Sequence, residues 1–277
     1  MSMNDTFDFW KTVDKPKWMK EVSYVTTMGS RAYGCSTKDS DWDFYAFCLS
    51  PLEVLFPYLS GDVPGFGKQK QNFDQLQLQG VMSEAFGEVD MYVYSLPRYF
   101  QLCMDNNPNM LDSLMTKDES VLVLDNVGKM VRDNRKLFLS QNVYHRFRGM
   151  AFSHIKRIKN RDRVGHRKNL VDKYGYDVKD ASHVVRLLLE LYELMTTGDV
   201  DLMANGKTVL NVKMGEWSFS DFNDFFEIKM GEVEDVYNSG ESVLPKYPDE
   251  KRIKALLVDC LEEKYGSLSR YSWNLLG

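Results

Sequence analysis

Three acids and a glycine–serine turn carry the chemistry that this sequence can perform. Asp41 and Asp43 stand one residue apart in Ser40-Asp41-Trp42-Asp43. On a strand, residues i and i+2 point to the same face, so the two carboxylates would converge. Converging carboxylates repel unless a cation lies between them. A hard divalent ion suits oxygen ligands, and Mg²⁺ commonly keeps coordination positions for substrate phosphates. Gly29-Ser30 lies a short way upstream. Glycine lets the backbone approach a phosphate closely, and the serine hydroxyl and successive N–H groups can hydrogen-bond it. Asp90, in a later strand-like segment, offers a third carboxylate that could complete a metal site or draw the proton from an attacking hydroxyl. A phosphate cradle beside converging acids is suited to phosphoryl or nucleotidyl transfer.

Each piece alone has an ordinary reading. An Asp-x-Asp is usually a solvated turn, Gly-Ser is a turn, and a single Asp is a surface or capping acid. The specific signal is their order: strand, Gly-Ser, short gap, Ser-Asp-x-Asp, strand, then an isolated Asp on a later strand. The elements that must position them are legible. Tyr24 to Met28 is β-branched and aromatic and stops at Gly29, as a strand should. Ala32 to Thr37 suits the first turns of a helix. Asp43 to Leu49 reads as a second strand, closed by Ser50-Pro51. Leu52 to Tyr58 suits a short helix, Ser60 to Asn72 a loop, and Phe73 to Gly80 an inserted strand. Gly87 to Tyr94 alternates and reads as a further strand. Upstream, Asp5 to Lys20 suits a short helix packed on the first strand.

After about residue 118 helical periods replace strands. Tyr144, Phe147, Ala151, Ile155 and Ile158 recur at helical spacing, as do Ala181, Val184, Val185, Leu188, Leu191 and Met195, stopped by Gly198. Another helix is expected within Lys213 to Glu232, and a last one over about Glu250 to Lys264. The reading is an α+β chain: an N-terminal mixed sheet flanked by helices over residues 1–118, then a helical half over 119–277.

The segment Gly29-Ser30-Arg31-Ala32-Tyr33-Gly34 with Ser40-Asp41-Trp42-Asp43 resembles the signature of the DNA polymerase β-type nucleotidyltransferase superfamily. Asn107-Pro108-Asn109-Met110-Leu111 and the run from Asp177 to Leu188 are similar to the nucleotidyltransferase family associated with bacterial and phage RNA repair. The similarity extends from about residue 20 to 265. It implies that Gly29 and Ser30, with Arg31 beside them, hold the triphosphate of an incoming NTP. It implies that Asp41 and Asp43 bind two Mg²⁺ ions, with Mn²⁺ as an alternative, and that Asp90 completes the metal site and helps activate the acceptor. The stretch from Leu52 to Phe86 departs from this pattern and puts the relatives' substrate in doubt.

The helical half has two candidate basic surfaces. Lys179, His183 and Arg186 fall at i, i+4 and i+7 and would share a helix face. That face is either a clamp on nucleotide phosphates or a solvated, salt-bridged surface. Lys156, Arg157, Lys159 and Arg163 belong to the densest basic stretch of a chain whose net charge is −5. They could neutralise a nucleic-acid backbone. The acidic balance argues against a surface that is all nucleic-acid footprint.

These readings lead to a nucleotidyltransferase that moves NMP from an NTP to a hydroxyl, with an RNA 3′ end, such as that of a tRNA, as the preferred acceptor. A protein or small-molecule adenylyltransferase of the toxin–antitoxin kind, and a non-catalytic nucleotide- or RNA-binding module, remain open. The four cysteines are widely spaced with no C-x-x-C pair, which disfavours structural zinc. No apolar run approaches the ~20 residues of a membrane span, and no secretory signal is evident, so a cytoplasmic protein is expected. No pattern marks an oligomeric state.

Overall fold

The structure is a computed structural model, and it describes residues 6–19, 22–38, 40–61, 63, 73–159 and 164–267. The apolar run Tyr24–Met28 forms β1, buried along its whole length. A single helical turn, α1 (Gly29–Ala32), follows it directly, and the helix expected over Ala32 to Thr37 is absent, the chain there being turn and coil. β2 (Trp42–Cys48) returns antiparallel to β1. α2 (Leu52–Leu55) and a 3₁₀ turn at Pro57–Ser60 divide the expected single short helix. β3 (Gln75–Ser83) and β4 (Gly87–Ser95) form an antiparallel hairpin. α3 (Leu96–Met104) and α4 (Pro108–Met115) then cross back over the sheet. β5 (Val121–Leu124) pairs with β1. It lies beyond residue 118, where periodicity indicated helices alone. Four apolar residues at a sheet edge are too few to show alternation.

The helical remainder comprises α5 (Asn126–Asp133), α6 (Asn142–Lys159), α7 (Gly165–Tyr174), α8 (Val178–Thr197), α9 (Gly206–Lys213), α10 (Phe219–Ser239) and α11 (Glu250–Tyr265). The long helices start where side chains satisfy orphan N–H groups. Asp177 caps α8 and Ser218 forms a capping box with Asp221 on α10. The expected helices ending at Gly198 and spanning Glu250 to Lys264 are present. The fold is α+β: a five-stranded mixed sheet with flanking helices and a helical C-terminal part.

The sheet order is β3-β4-β2-β1-β5, and the central pair β2–β4 is parallel. Strand alternation gives its two faces different tasks. Phe44, Ala46, Cys48, Val89, Met91 and Val93 pack under the N-terminal segment with Phe7, Phe9 and Trp10. That segment folds as a 3₁₀ turn over Asp8–Lys11. The opposite face buries Tyr24, Met28, Phe47 and Tyr94 against residues from α3 to α11 in one continuous core. Asp43, Tyr45, Asp90 and Tyr92 alternate into this same face, towards the end where β1 runs into α1.

Candidate active site

Register brings the acids together. Asp43 lies opposite Met28 on β1 and beside Asp90 on β4. Adjacent strands are about 4.8 Å apart, so the two carboxylates leave neighbouring strands on one face. Gly29 makes room for them. It adopts φ +62°, and a Cβ placed there would lie 1.9 Å from Asp43 Oδ2. Any side chain at position 29 would occupy the space that the carboxylate takes. Asp41 is exposed and lies just ahead of β2, which begins at Trp42. It therefore joins the site from a loop end rather than from the strand itself.

Asp43 is the electrostatic centre. Burial, then the negative charges of Asp90 and Asp41, push its carboxyl up to about 6. Lys179 and Lys213 oppose that rise. Asp90 Oδ1 accepts a hydrogen bond from Gly80 N–H at 2.8 Å. Among the described residues no group of three His, Cys, Asp or Glu side chains is arranged to hold a metal ion. The chemistry of the donors nonetheless fits a hard divalent cation. They are carboxylate oxygens, and the repulsion that raises Asp43 is what a cation would relieve.

The turn after Gly29 is braced from within. Arg31 Nη2 donates to Ser40 O at 2.8 Å, and its guanidinium lies 3.8 Å over the Trp42 ring. Ser40 Oγ accepts from Thr37 N at 2.8 Å. Arg31 thus ties the Gly-Ser turn to the loop that delivers Asp41. Gly29 and Ser30 sit half-buried at the start of α1, beside Asp43.

The helical half approaches from the other side. Gly206, at the start of α9, packs on the Tyr33–Gly34 backbone so tightly that a Cβ would fall 2.7 Å from both carbonyl oxygens. That contact directs the far end of α9 back to the site. Lys213 Nζ reaches Cys35 O at 3.5 Å and acts on Asp43. No local signal in the sequence marks Lys213 as a site residue. Helical spacing gives a residue its neighbours on its own helix, not the body that the helix faces.

The structure separates Lys179, His183 and Arg186. Lys179 is exposed and acts on Asp43. Arg186 is buried and paired with two acids: Nη1 donates to Asp112 Oδ2 at 2.7 Å and to Glu190 Oε2 at 2.9 Å. Its guanidinium stacks 4.0 Å over Tyr33, whose hydroxyl donates to the same Asp112 oxygen at 2.8 Å. Burial pushes both carboxyls up, and Arg186 opposes it. This network joins α4 and α8 to the turn carrying Gly29 and Ser30. His183 rests 4.9 Å from the His154 ring, and burial, Arg186 and His154 hold it well below the usual histidine range.

Lys156, Arg157 and Lys159 lie in the last turn of α6 and are exposed. Arg157 pairs with Asp180 at 3.3 Å, an acid that His154 also contacts at 2.8 Å. Arg163 lies outside the described residues.

A sequence model of a family described as the RNA repair pathway DNA polymerase beta family matches residues 10–231. The chain is also 30% identical over 117 residues to an uncharacterized 38.9 kDa protein in the nrdC-mobD intergenic region of Enterobacteria phage T4. That match covers 42% of this chain and 32% of the relative, so the chain aligns with about a third of the relative's length. Among solved structures, a nucleotidyltransferase-like protein from Exiguobacterium sibiricum 255-15 superposes with a TM-score of 0.29 at 10% identity, over 88% of this chain and 75% of that one.

Proposed function

Since this chain belongs to the RNA repair pathway DNA polymerase beta family, we propose that it is a divalent-metal-dependent nucleotidyltransferase acting on an RNA 3′ end. The reaction moves NMP from an NTP to the terminal hydroxyl: the hydroxyl oxygen bonds to the α-phosphorus, the bridge to the β-phosphate breaks, and pyrophosphate leaves. The observation that carries the reading is the register pairing of Asp43 with Asp90 beside Gly29, whose missing side chain leaves Asp43 its place.

Asp41, Asp43 and Asp90 would hold Mg²⁺, with Mn²⁺ as an alternative, and the bound cations would neutralise charge on the phosphates in an in-line displacement. Gly29 and Ser30 receive the β- and γ-phosphates at the end of β1. Lys179 and Lys213 add positive charge opposite them and keep Asp43 ionised near neutral pH. Asp90 accepts the hydroxyl proton, with one oxygen oriented by Gly80 N–H. The proposed cleft lies between the sheet, whose last strand is β5 (Val121–Leu124), and the helices that follow it. A cytoplasmic setting is in keeping with the four cysteines, all of them buried and free. Among the described residues no helix is long and apolar enough to cross a membrane.

The test is transfer of label from each α-labelled NTP, with Mg²⁺ or Mn²⁺, to a mixed pool of RNAs. Label on RNA, lost in Asp43→Ala and Asp90→Ala, is the expected result. Label on protein or on a small molecule would move the acceptor to those classes. No transfer to any acceptor would leave a binding module. Activity retained in both variants would overturn the assignment of the acids.

A further inference from the structure

The proposed reaction uses the acids but leaves the surface beside them without a role. On β4 the residue next in line after Asp90 on the same face is Tyr92, and Tyr94 follows it. On β2 the corresponding residue is Tyr45, its ring 5.1 Å from that of Tyr92. On the edge strand Gln77 lies opposite Tyr92, and both Gln77 and Gln79 donate to the Tyr92 hydroxyl at 3.4 Å. The two glutamines are exposed, Tyr45 and Tyr92 are half-buried, and Tyr94 is buried. The result is a half-buried ring flanked by Tyr45 on one side and by two exposed amides on the other.

The edge strand β3 makes this arrangement possible. β3 pairs regularly with β4 up to Leu78 and resumes at Val81, so Gln79 and Gly80 form a bulge. Gly80 takes φ +62° and directs its N–H to Asp90. β3 therefore touches the third acid and supplies the amides beside Tyr92.

In-line displacement decides which part of the reaction this surface serves. The leaving pyrophosphate and the attacking hydroxyl lie on opposite sides of the α-phosphorus. Across the sheet the order is Gly29 after β1, Asp43 on β2, Asp90 on β4 and Gly80 on β3. With the triphosphate at Gly29, the acceptor must come from the β4–β3 side. Two residues along a strand span roughly 7 Å, so the Tyr92 ring stands about that far from Asp90. A strand whose last hydroxyl reaches Asp90 would bring its terminal base over Tyr92. Aromatic faces accept any base, and glutamine amides can both donate to and accept from a base edge. We propose that Tyr92, supported by Tyr45 and fringed by Gln77 and Gln79, is the stacking site for the unpaired 3′-terminal base of the acceptor RNA. This inference rests on the RNA-acceptor reading above.

The experiment measures two things on the full-length protein: binding of a short fluorescent single-stranded RNA by anisotropy, and KM for RNA and for NTP in the transfer assay. Tyr92→Ala is expected to weaken RNA binding and raise the RNA KM about 10-fold, leaving the NTP KM unchanged. Tyr92→Phe keeps the ring and stays near wild type. Gln77→Ala with Gln79→Ala gives a smaller loss that depends on the identity of the last base. A Tyr92→Ala variant that raises only the NTP KM would assign the ring to the donor base and overturn the proposal. So would wild-type protein that binds no single-stranded RNA. Transfer to RNA with Tyr92→Ala unchanged sinks the stacking site and leaves the reaction standing. RNA binding that depends on Tyr92 without any transfer to RNA does the reverse.

Discussion

Asp43→Asn is expected to make the metal-free protein more stable while abolishing transfer. The carboxyl is pushed from its ordinary 3.8 to about 6, first by burial and then by Asp90 and Asp41. At 1.36 kcal/mol per pH unit, keeping it ionised in the folded chain costs about 3 kcal/mol. The sign follows from proton binding. The folded chain holds this proton to higher pH than the unfolded chain does. The cost is therefore absent below about pH 4, grows as pH rises through 4 to 6, and is complete above about 6. Asparagine preserves the shape against Gly29 and removes the charge. In metal-free buffer at pH 8 the variant should melt roughly 5 °C or more above wild type. The difference should shrink as pH falls towards 4. Added Mg²⁺ should raise the wild-type melting temperature by mass action and leave the variant largely unmoved. Thermal melts across pH, with and without Mg²⁺, read all of this. A variant that melts at or below wild type at pH 8, or a gap that ignores pH, would refute the reasoning that charge repulsion is stored at this strand end.

Gly29→Ala places a Cβ 1.9 Å from Asp43 Oδ2 at a φ of +62°. It should cost about 1–3 kcal/mol in strain and lower kcat at least 100-fold, as read by melts and label transfer. Arg186→Met leaves Asp112 and Glu190 buried without their cation, and the unfolding free energy from denaturant melts should fall by about 3–5 kcal/mol. A folded, equally stable Arg186 variant that has lost only NTP affinity would instead restore Arg186 as a nucleotide ligand. Lys213→Ala removes a charge that favours ionised Asp43, so the acidic limb of the pH–rate profile should move to higher pH, and Lys213→Arg should return it. Lys156→Glu with Lys159→Glu should weaken RNA binding and flatten its dependence on salt; an unchanged slope removes the end of α6 from the RNA surface.

The parts legible in the sequence are those whose causes are local. Gly29 ends a strand and permits a positive φ, so the turn announces itself in the chain. Alternation over Gly87 to Tyr94 announces a strand and identifies the face on which Asp90 lies. What alternation leaves open is register. Nothing in either segment states that Asp43 should lie beside Asp90 rather than one pair further along, and that pairing makes the site. Arg186 shows the opposite limit. Its spacing from Lys179 on one helix is real, but α8 is buried over most of its circumference. A charge on such a helix must find partners inside, and it finds Asp112 from α4. Shared helical phase therefore groups residues that the fold then separates, Lys179 towards the acids and Arg186 into the core. Lys213 reverses the lesson: distant in sequence, it is returned to the site by the close contact of Gly206 with the Tyr33–Gly34 turn. The β3–β4 hairpin follows the same logic. No motif marks it in the sequence, yet through Gly80 it bonds the third acid and through Gln77 and Gln79 it borders Tyr92. If the donor half of the reaction belongs to the motif around Gly29, variation in this hairpin is where selection among acceptors should reside. Exchanging Gln77 and Gln79 should then change which RNA ends are used before it changes which nucleotide is added.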